Sequence, residues 1–499
     1  MDLDAYRASA EAFLGELTGE YYRHYAGLSE SYELGRIYDA HPDLFTRTAV
    51  QELRDQLAAA PPDAEPRRQL RLLLDFATEG YLGQSTKEIE SELARREAGL
   101  SIEVGGEAIG FRESSVLQMN EPDPARREAI ELARLEATEE HLNPLYRESS
   151  ERAQAVSRTL GYANYRELCA VTKALDLEGL HRQTEAFARA TDDDYPRLLD
   201  PEVRRAIGIG VDELRRSDLP RFFRAPDEDG QFPAGTLIKS FVETMGGLGI
   251  DVGAQAGVVL DAEPRLNKSP RAFCAPVRSP GEVYLVIAPS GGWDDYGALF
   301  HEGGHTEHFA HVDPGLPFEF RLLGDNAITE CFAFLFQHLV ENPEWLARHL
   351  GIEDAERIAG HARAQRLVYL RRYTAKLAYE LELHADEQPL QRMAERYSEL
   401  LGGALRVPWQ PQTFLADVDP GFYCACYLRA WALETHLRRH LQERHGPAWF
   451  DCAAAGDELR ALWSAGQRQT PEELLHQIGG DQLDFDVLRT DLGLGRGLG

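Results

Sequence analysis

The chain has 499 residues, of which 43% are hydrophobic and 27% charged, a composition typical of a globular protein with a sizeable core. Its 83 acidic residues outnumber 53 basic ones, and the net charge of −30 disfavours nucleic acid and anionic membranes as partners. The sequence lacks a membrane-spanning apolar run and a secretory signal, and its six cysteines are scattered, so we expect a cytoplasmic protein.

The N-terminal half of the chain has the periodicity of helices. Residues 125–160 carry an apolar stripe at helical spacing, Asp123 can cap this helix, and Pro124 suits its first position. A polar stretch rich in proline follows over 218–235. Prolines and glycines interrupt regular structure, so this stretch is the best candidate for a domain boundary.

The C-terminal half contains the clearest strand signal. Residues 282–288 are rich in β-branched and apolar side chains and are followed by a turn of proline, serine and glycine. Helical patterns resume and cover 354–396. We therefore predict a mainly α, two-lobed fold with a small sheet, a helical N-terminal lobe over 1–225 and a second lobe over 226–499.

A metal-binding motif follows the predicted strand. Residues 301–305 read His-Glu-Gly-Gly-His, the HExxH pattern of zinc hydrolases. Residues four apart share one helix face, so the imidazoles of His301 and His305 can reach one ion. Glu302 can act as general base, taking a proton from a metal-activated water and passing it to the leaving amine. Gly303 and Gly304 each cost a helix about 1 kcal/mol, which predicts close approach of another helix or of the substrate backbone.

Two histidines leave zinc short of its usual three protein ligands. Glu330 lies in an otherwise apolar run of a second predicted helix, and a carboxylate is rarely buried there without a partner. A metal is the natural partner, and an ion pair with an arginine is the alternative. We predict one Zn²⁺ per chain, held by His301, His305 and Glu330, although Co²⁺ or Mn²⁺ would also suit these ligands.

The chain resembles the thimet oligopeptidase and oligoendopeptidase F family of zinc peptidases. The residues that match the family's His-Glu-x-Gly-His-x-x-His pattern are His301, Glu302, Gly304, His305 and His308. Glu330 stands where that family has its third ligand, and the resemblance is strongest over 265–340. It implies a mainly α fold with a sheet beside the HExxH helix and a central channel that admits short peptides and excludes folded proteins.

The resemblance also implies that tyrosines of a late helix donate hydrogen bonds to the oxyanion. The segment from Gly421 to Tyr427 is similar to the family's Phe-Tyr-x-x-x-Tyr pattern. By this resemblance the role falls first to Tyr427 and second to Tyr423, which share one helical face. The alternative is that both are ordinary core tyrosines.

This sequence departs from the family near these tyrosines. The family's histidine, five or six residues before the first tyrosine, is replaced by Asp417 and Val418, and its later tyrosine by Ala430. Asp417 or Asp419 can take over part of the histidine's role, or that substrate contact is lost.

Further residues are candidates for support around the metal. His308 follows the motif by one turn and is expected to support the site or to pack rather than to bind the ion. Asp325 and Thr329 lie within about a turn of Glu330, and either can hold a ligand imidazole through its other nitrogen. Arg271 and Arg429 can meet a substrate carboxylate or, equally well, form salt bridges.

These residues predict a zinc metalloendopeptidase that hydrolyses short oligopeptides, with neither nucleic acid nor membrane as partner. The strand 282–288 is expected to pair with the extended substrate by β-augmentation. A carboxypeptidase or dipeptidyl carboxypeptidase on the same scaffold is the near alternative. A non-catalytic peptide-binding protein and a hydrolase of another amide are the others.

Overall fold

A computed structural model describes residues 1–62 and 65–494 of the chain. It forms two compact units. Unit 1 contains 1–78, 228–359 and 429–488, and unit 2 contains 79–227, 360–428 and the segment from 489 onward. The predicted boundary between the lobes, at 225 and 226, lies two residues before a boundary between the units, at 227 and 228, but each unit takes segments from both lobes. Residues 495–499 of the predicted second lobe lie outside the described residues.

Helices make up most of both units. Those before the three-stranded sheet are α1 (Leu3–Tyr25), α2 (Leu34–Ala40), α3 (Arg47–Ala59), α4 (Glu65–Gly99), α5 (Phe111–Asn120), α6 (Pro124–Ala137), α7 (Asn143–Thr159), α8 (Tyr165–Thr172), α9 (Leu177–Ala190), α10 (Asp194–Ala206), α11 (Leu219–Arg224) and α12 (Ala234–Gly247). Those after it are α13 (Trp293–Ala310), α14 (Phe318–Leu322), α15 (Asn326–Gln337), α16 (Pro343–Trp345), α17 (Ala355–Ala385), α18 (Leu390–Leu405), α19 (Tyr423–His445), α20 (Ala453–Trp463), α21 (Pro471–Gln477) and α22 (Asp486–Asp491). The predicted mainly α class is confirmed. None of the described helices combines the length and the apolar character needed to cross a bilayer.

The helix predicted over 125–160 shows how local sequence sets these boundaries. Asp123 Oδ1 accepts a hydrogen bond from the Ala125 N–H at 3.1 Å, and Pro124 is the first residue of α6. A π-helical turn over 138–142 separates α6 from α7, so the predicted helix is two consecutive helices. The second ends just before Gly161, whose φ of 89° a residue with a Cβ rarely adopts.

Two small sheets accompany the helices. In unit 2, β1 (Ser101–Val104) pairs antiparallel with β2 (Glu107–Gly110). In unit 1, β5 (Glu282–Val286) lies between β3 (Val258–Asp261), to which it is parallel, and β4 (Phe273–Arg278), to which it is antiparallel. The predicted strand is confirmed, but its pairing with substrate is wrong, because β3 and β4 already use both edges of β5.

The three-stranded sheet lies beside α13, the helix that carries the HExxH motif. Ser279 Oγ, just after β4, donates to the Phe309 carbonyl oxygen on α13 at 2.8 Å. The side chains of Val283 and Leu285 on β5 are completely buried. The sheet predicted beside the motif helix is therefore present, and it gives α13 a rigid support.

Candidate metal centre

A glycine turn and an acidic side chain set the start of α13. Gly292, at φ 92°, precedes the helix, and Asp295 Oδ2 accepts from the Ser290 and Gly291 N–H groups at 2.7 and 2.8 Å. The carboxylate of Asp295 therefore holds this turn. The motif therefore begins two turns inside a well-anchored helix.

The two glycines of the motif allow close packing against two neighbours. A Cβ on Gly304 would lie 2.6 Å from the Phe332 carbonyl oxygen and 2.7 Å from Ala333 Cα, both on α15. A Cβ on Gly303 would meet the ring of Phe241 on α12. Close approach of another helix was the expected reason for these glycines, and α15 is that helix.

We expect Gly304→Ala to destabilise unit 1 by about 3 kcal/mol, since overpacking against backbone exceeds the gain in helix propensity of about 1 kcal/mol. It should also lower zinc affinity, because α15 carries Glu330. Urea unfolding and zinc titration measure the two effects. Gly297→Ala is the matched control on the same helix, where a Cβ would meet nothing within 4 Å. It should be neutral or slightly stabilising, and equal effects of the two substitutions would contradict the prediction.

The close contact of α13 with α15 brings three candidate ligands together. Glu330 Oε2 lies 3.4 Å from His301 Nε2 and 3.7 Å from His305 Nε2. Each of the three residues offers one ligand atom, and these three atoms all lie within 4.8 Å of one another. The Glu330 side chain is only 5% exposed, and both histidines are largely buried. The Glu330 carboxylate therefore faces the two imidazoles.

The other nitrogen of each imidazole has its own partner on α15. His301 Nδ1 lies 2.8 Å from Gln337 Oε1, and His305 Nδ1 lies 2.8 Å from Thr329 Oγ1. An amide oxygen only accepts, so His301 Nδ1 carries the proton and Nε2 presents its lone pair. Sequence reasoning named Thr329 but missed Gln337, whose position seven residues after Glu330, two helical turns on, was the available signal.

This donor set fits a zinc ion. Zinc binds imidazole nitrogen and carboxylate oxygen at about 2.0 to 2.2 Å, which places neighbouring ligands of a tetrahedral site about 3.3 to 3.5 Å apart. Burial lowers the pKa of His305 to about 4, so its imidazole is neutral at pH 7. Burial also opposes protonation of His301, but the Glu330 carboxylate raises the pKa of His301 above its usual value. A metal cation and a proton would therefore compete for the same place between His301 and Glu330.

Glu302 lies beside this cluster and is positioned by the sheet. Its Oε2 accepts a hydrogen bond from the Cys274 N–H on β4 at 2.9 Å. Burial raises the pKa of the Glu302 carboxyl above its usual value. A carboxylate with a raised pKa, held by one backbone donor, suits the proton transfers of a general base.

The remaining candidates for support take other contacts. Asp325 caps α15 by accepting from the Ala327 N–H at 2.9 Å, and it forms an ion pair with Arg429 at 2.7 Å. The imidazoles of the two candidate ligands are held by Thr329 and Gln337. His308 is completely buried, with its ring 5.2 Å from that of Phe309, and burial lowers its pKa to about 3. These contacts make His308 a neutral packing residue.

Both predicted oxyanion donors begin α19 and belong to unit 2. The rings of Tyr423 and Tyr427 meet edge to face with centroids 5.0 Å apart, and Tyr373 meets Tyr427 in the same way at 5.6 Å. Each hydroxyl-bearing ring of the pair is partly exposed. Because the candidate ligands belong to unit 1, the catalytic role of the tyrosines stays a prediction.

Two aspartates occupy the region where the resembled family has its histidine. Asp417 accepts from Tyr397 Oη at 2.7 Å and pairs with Arg372, while Asp419 pairs with Lys376 at 2.8 Å. Burial alone would raise the pKa of Asp417, but Arg372 and Lys376 lower it below its usual range. Both carboxylates therefore form ion pairs with basic side chains of unit 2.

Asp417→Asn should destabilise unit 2 by about 3 kcal/mol, because it leaves the positive charges of Arg372 and Lys376 poorly compensated in a buried place. The lowered native pKa means that Asp417 stabilises the fold above the unfolded pKa of about 3.9, and this is lost as the pH falls through the native pKa. Urea unfolding at neutral pH measures the loss. Glu148→Gln, in an exposed pair with Arg152, should cost under about 1 kcal/mol.

The sequence and the structure of this chain were each compared with those of known proteins. No protein-family model matches the sequence, and no curated protein matches it significantly. The structure is similar to the crystal structure of a putative oligoendopeptidase F from Bacillus anthracis str. Ames, with a TM-score of 0.67 over 96% of this chain and 88% of that one. The resemblance to the oligoendopeptidase F family is confirmed at the level of the fold. The sequences are 15% identical, so the similarity establishes a shared architecture and the activity remains to be argued from the site.

Proposed function

We propose that this protein is a zinc-dependent oligopeptidase that hydrolyses short peptides in the cytoplasm. The observation that carries the proposal is the convergence of His301, His305 and Glu330, with both Nε2 atoms facing one carboxylate oxygen, on an oligoendopeptidase-type fold. Glu302 beside this cluster supports catalysis over simple metal storage, because a storage site has no need of a second carboxylate held next to its three ligands. The central channel stays a prediction.

A bound zinc would supply Lewis-acid polarisation of the scissile carbonyl and a more acidic water. Glu302 takes the proton of the attacking water on one carboxylate oxygen, while its Oε2 stays hydrogen bonded to the Cys274 N–H. The same carboxyl then gives that proton to the leaving amide nitrogen. Gln337 and Thr329 keep the two imidazoles in the tautomer and orientation that the metal requires.

An aromatic surface near Glu302 supports a preference for peptides with bulky apolar side chains. The ring of Phe273, next to Cys274 on β4, meets Tyr21 and Tyr25 with centroids 5.2 and 6.4 Å away. Both tyrosines are 36% exposed, so their rings remain available to a ligand. Burial raises the pKa of Tyr21, and the neighbouring Tyr25 and the charge of Glu302 raise it further. Tyr21 is therefore close enough to the candidate metal centre to interact with Glu302.

We expect Tyr427 to be the main hydrogen-bond donor to the substrate carbonyl oxygen, which gains negative charge in the transition state. Tyr427→Phe should then lower kcat by about 100-fold, the cost of losing one such donor, with little change in KM. Tyr423→Phe should have a smaller effect. Both substitutions keep the ring and its packing, so steady-state kinetics at matched zinc content isolates the hydroxyl. Full kcat in the Tyr427 variant would remove it from the mechanism.

Turnover of a quenched-fluorescent peptide library of about ten residues per peptide tests the activity. We expect cleavage by the zinc-loaded protein, loss after chelation and recovery on adding zinc back. Pairs of peptides with a free or amidated C-terminus separate an endopeptidase from a carboxypeptidase, since only the latter needs the terminal carboxylate. If zinc binds and no peptide is cleaved, the proposal fails, and peptide binding without turnover or hydrolysis of another amide takes its place.

A further inference from the structure

An arginine-rich cavity of about 730 Å³ lies in unit 1, apart from the residues of the candidate metal centre. Its walls are Pro62 with the first two turns of α4, and the segment that joins α20 to α21 with the first turn of α21. Its charged lining residues are four arginines, Arg67, Arg68, Arg71 and Arg468, and two glutamates, Glu65 and Glu473. The lining therefore has more positive than negative charge, in a chain whose net charge is −30.

Three of the four arginines are held in place by protein partners. Arg68 makes two hydrogen bonds to Glu473, at 2.6 and 3.0 Å, and Arg468 pairs with Glu65. Arg67 donates to the carbonyl oxygens of Leu57 and Ala60, at 2.6 and 3.0 Å, and within the described part of the chain it pairs with no carboxylate. The wall is thus a fixed arrangement of guanidinium groups.

Arg71 differs from the other three. Among the described residues it has neither a hydrogen bond nor an ion pair, although it is partly buried. Burial lowers the pKa of Arg71, and the neighbouring charge of Arg68 lowers it further. Asp325 and Asp75 attract its charge without pairing with it, and Asp325 is already paired with Arg429 at 2.7 Å. Keeping a charged guanidinium in such surroundings costs free energy unless an anion pairs with it.

We propose that this cavity binds a small organic anion with two or more phosphate or carboxylate groups, and that Arg71 is its main hydrogen-bond donor. The planar fork of a guanidinium matches both groups, because each offers two oxygens to parallel N–H bonds. The volume is in the range of about 300 to 1,000 Å³ that is usual for small-molecule sites. Arg67 adds a second uncompensated charge, which suits a ligand with more than one anionic group.

Isothermal titration of the zinc-loaded protein with fructose 1,6-bisphosphate and with tricarballylate tests the proposal. The two arms separate a phosphate site from a carboxylate site, and the Arg71 variant keeps the candidate zinc ligands, so it distinguishes this cavity from the metal centre. We expect at least one probe to bind and Arg71→Gln to weaken that binding by about tenfold or more. The matched control is Arg444→Gln, which removes the same charge from an exposed position of unit 1 and should leave binding unchanged.

Thermal unfolding without added anion distinguishes a binding role from a structural one. If Arg71 is kept for a ligand, Arg71→Gln should leave the Tm unchanged or raise it, because burial and the neighbouring arginines disfavour the Arg71 charge more than Asp325 and Asp75 favour it. A lower Tm would mean that Arg71 stabilises the fold itself and would overturn its role as a ligand donor. The proposal is also overturned if neither probe binds, or if the Arg71 and Arg444 variants lose binding equally. These binding and stability measurements need no peptide turnover, so their outcome is independent of the peptidase proposal.

Discussion

Glu302→Gln is expected to lower kcat for peptide hydrolysis by about 10²- to 10⁴-fold while zinc remains bound. The amide cannot take a proton from the attacking water at neutral pH. Its oxygen can still accept the 2.9 Å hydrogen bond from the Cys274 N–H, so the side chain keeps its position. The measurement is turnover of the best library peptide by both proteins, with metal content determined on the same samples.

The control for this experiment is an equal change of charge elsewhere in unit 1. Glu344→Gln, on the exposed start of α16, should retain full activity. Equal zinc content and equal Tm of the Glu302 variant would show that the fold and the metal are unaffected. If that variant kept more than about a tenth of the wild-type kcat, Glu302 would not be the general base.

Glu330→Gln is expected to weaken zinc binding by more than about 100-fold. Loss of a supporting residue around a metal costs about 10- to 100-fold, and loss of the charge of a ligand costs more. The two imidazoles would remain, 3.4 and 3.7 Å from a neutral amide instead of a carboxylate. Competition with a chromogenic chelator measures the affinity. The Tm of the variant should also no longer rise with zinc, because a ligand stabilises only the state that binds it.

Gln337→Leu provides a graded comparison on the same helix. It removes the acceptor of His301 Nδ1 and keeps all three proposed ligands, so zinc affinity should fall by about 10- to 100-fold, less than in the Glu330 variant. Wild-type zinc affinity in Glu330→Gln would show that the third ligand is another residue. An equal or larger loss in Gln337→Leu would reverse the assignment of the two side chains.

The features that could be predicted from the sequence depend on residues close together in the chain. The helical repeat alone predicts that His301 and His305 share a face, and an isolated acid in an apolar run singled out Glu330. Two adjacent glycines predicted a close neighbour for the motif helix. The structure adds that this neighbour is α15, the helix of Glu330, so the glycines and the third candidate ligand belong to one feature.

Other parts of the site depend on distances that sequence spacing does not encode. Gln337 binds His301 and the backbone of Cys274 binds Glu302, although neither belongs to a recognisable motif. The strand 282–288 was identified from its composition, but its central place in the sheet was not, because strand order is decided by packing. The predicted lobes likewise followed the chain, whereas the compact units join segments from both halves.

The sequence by itself therefore determined the mainly α class and the strand beside the motif helix, and it singled out the three candidate ligands and the candidate general base. Each of these features depends on the periodicity, the residue types or the short spacings within a single helix or strand. Only the tertiary structure decided which helix faces α13, which groups hold the imidazoles and where Arg71 meets other arginines. Those relations depend on packing between elements far apart in the chain, and packing responds to shape and charge in three dimensions rather than to separation along the sequence.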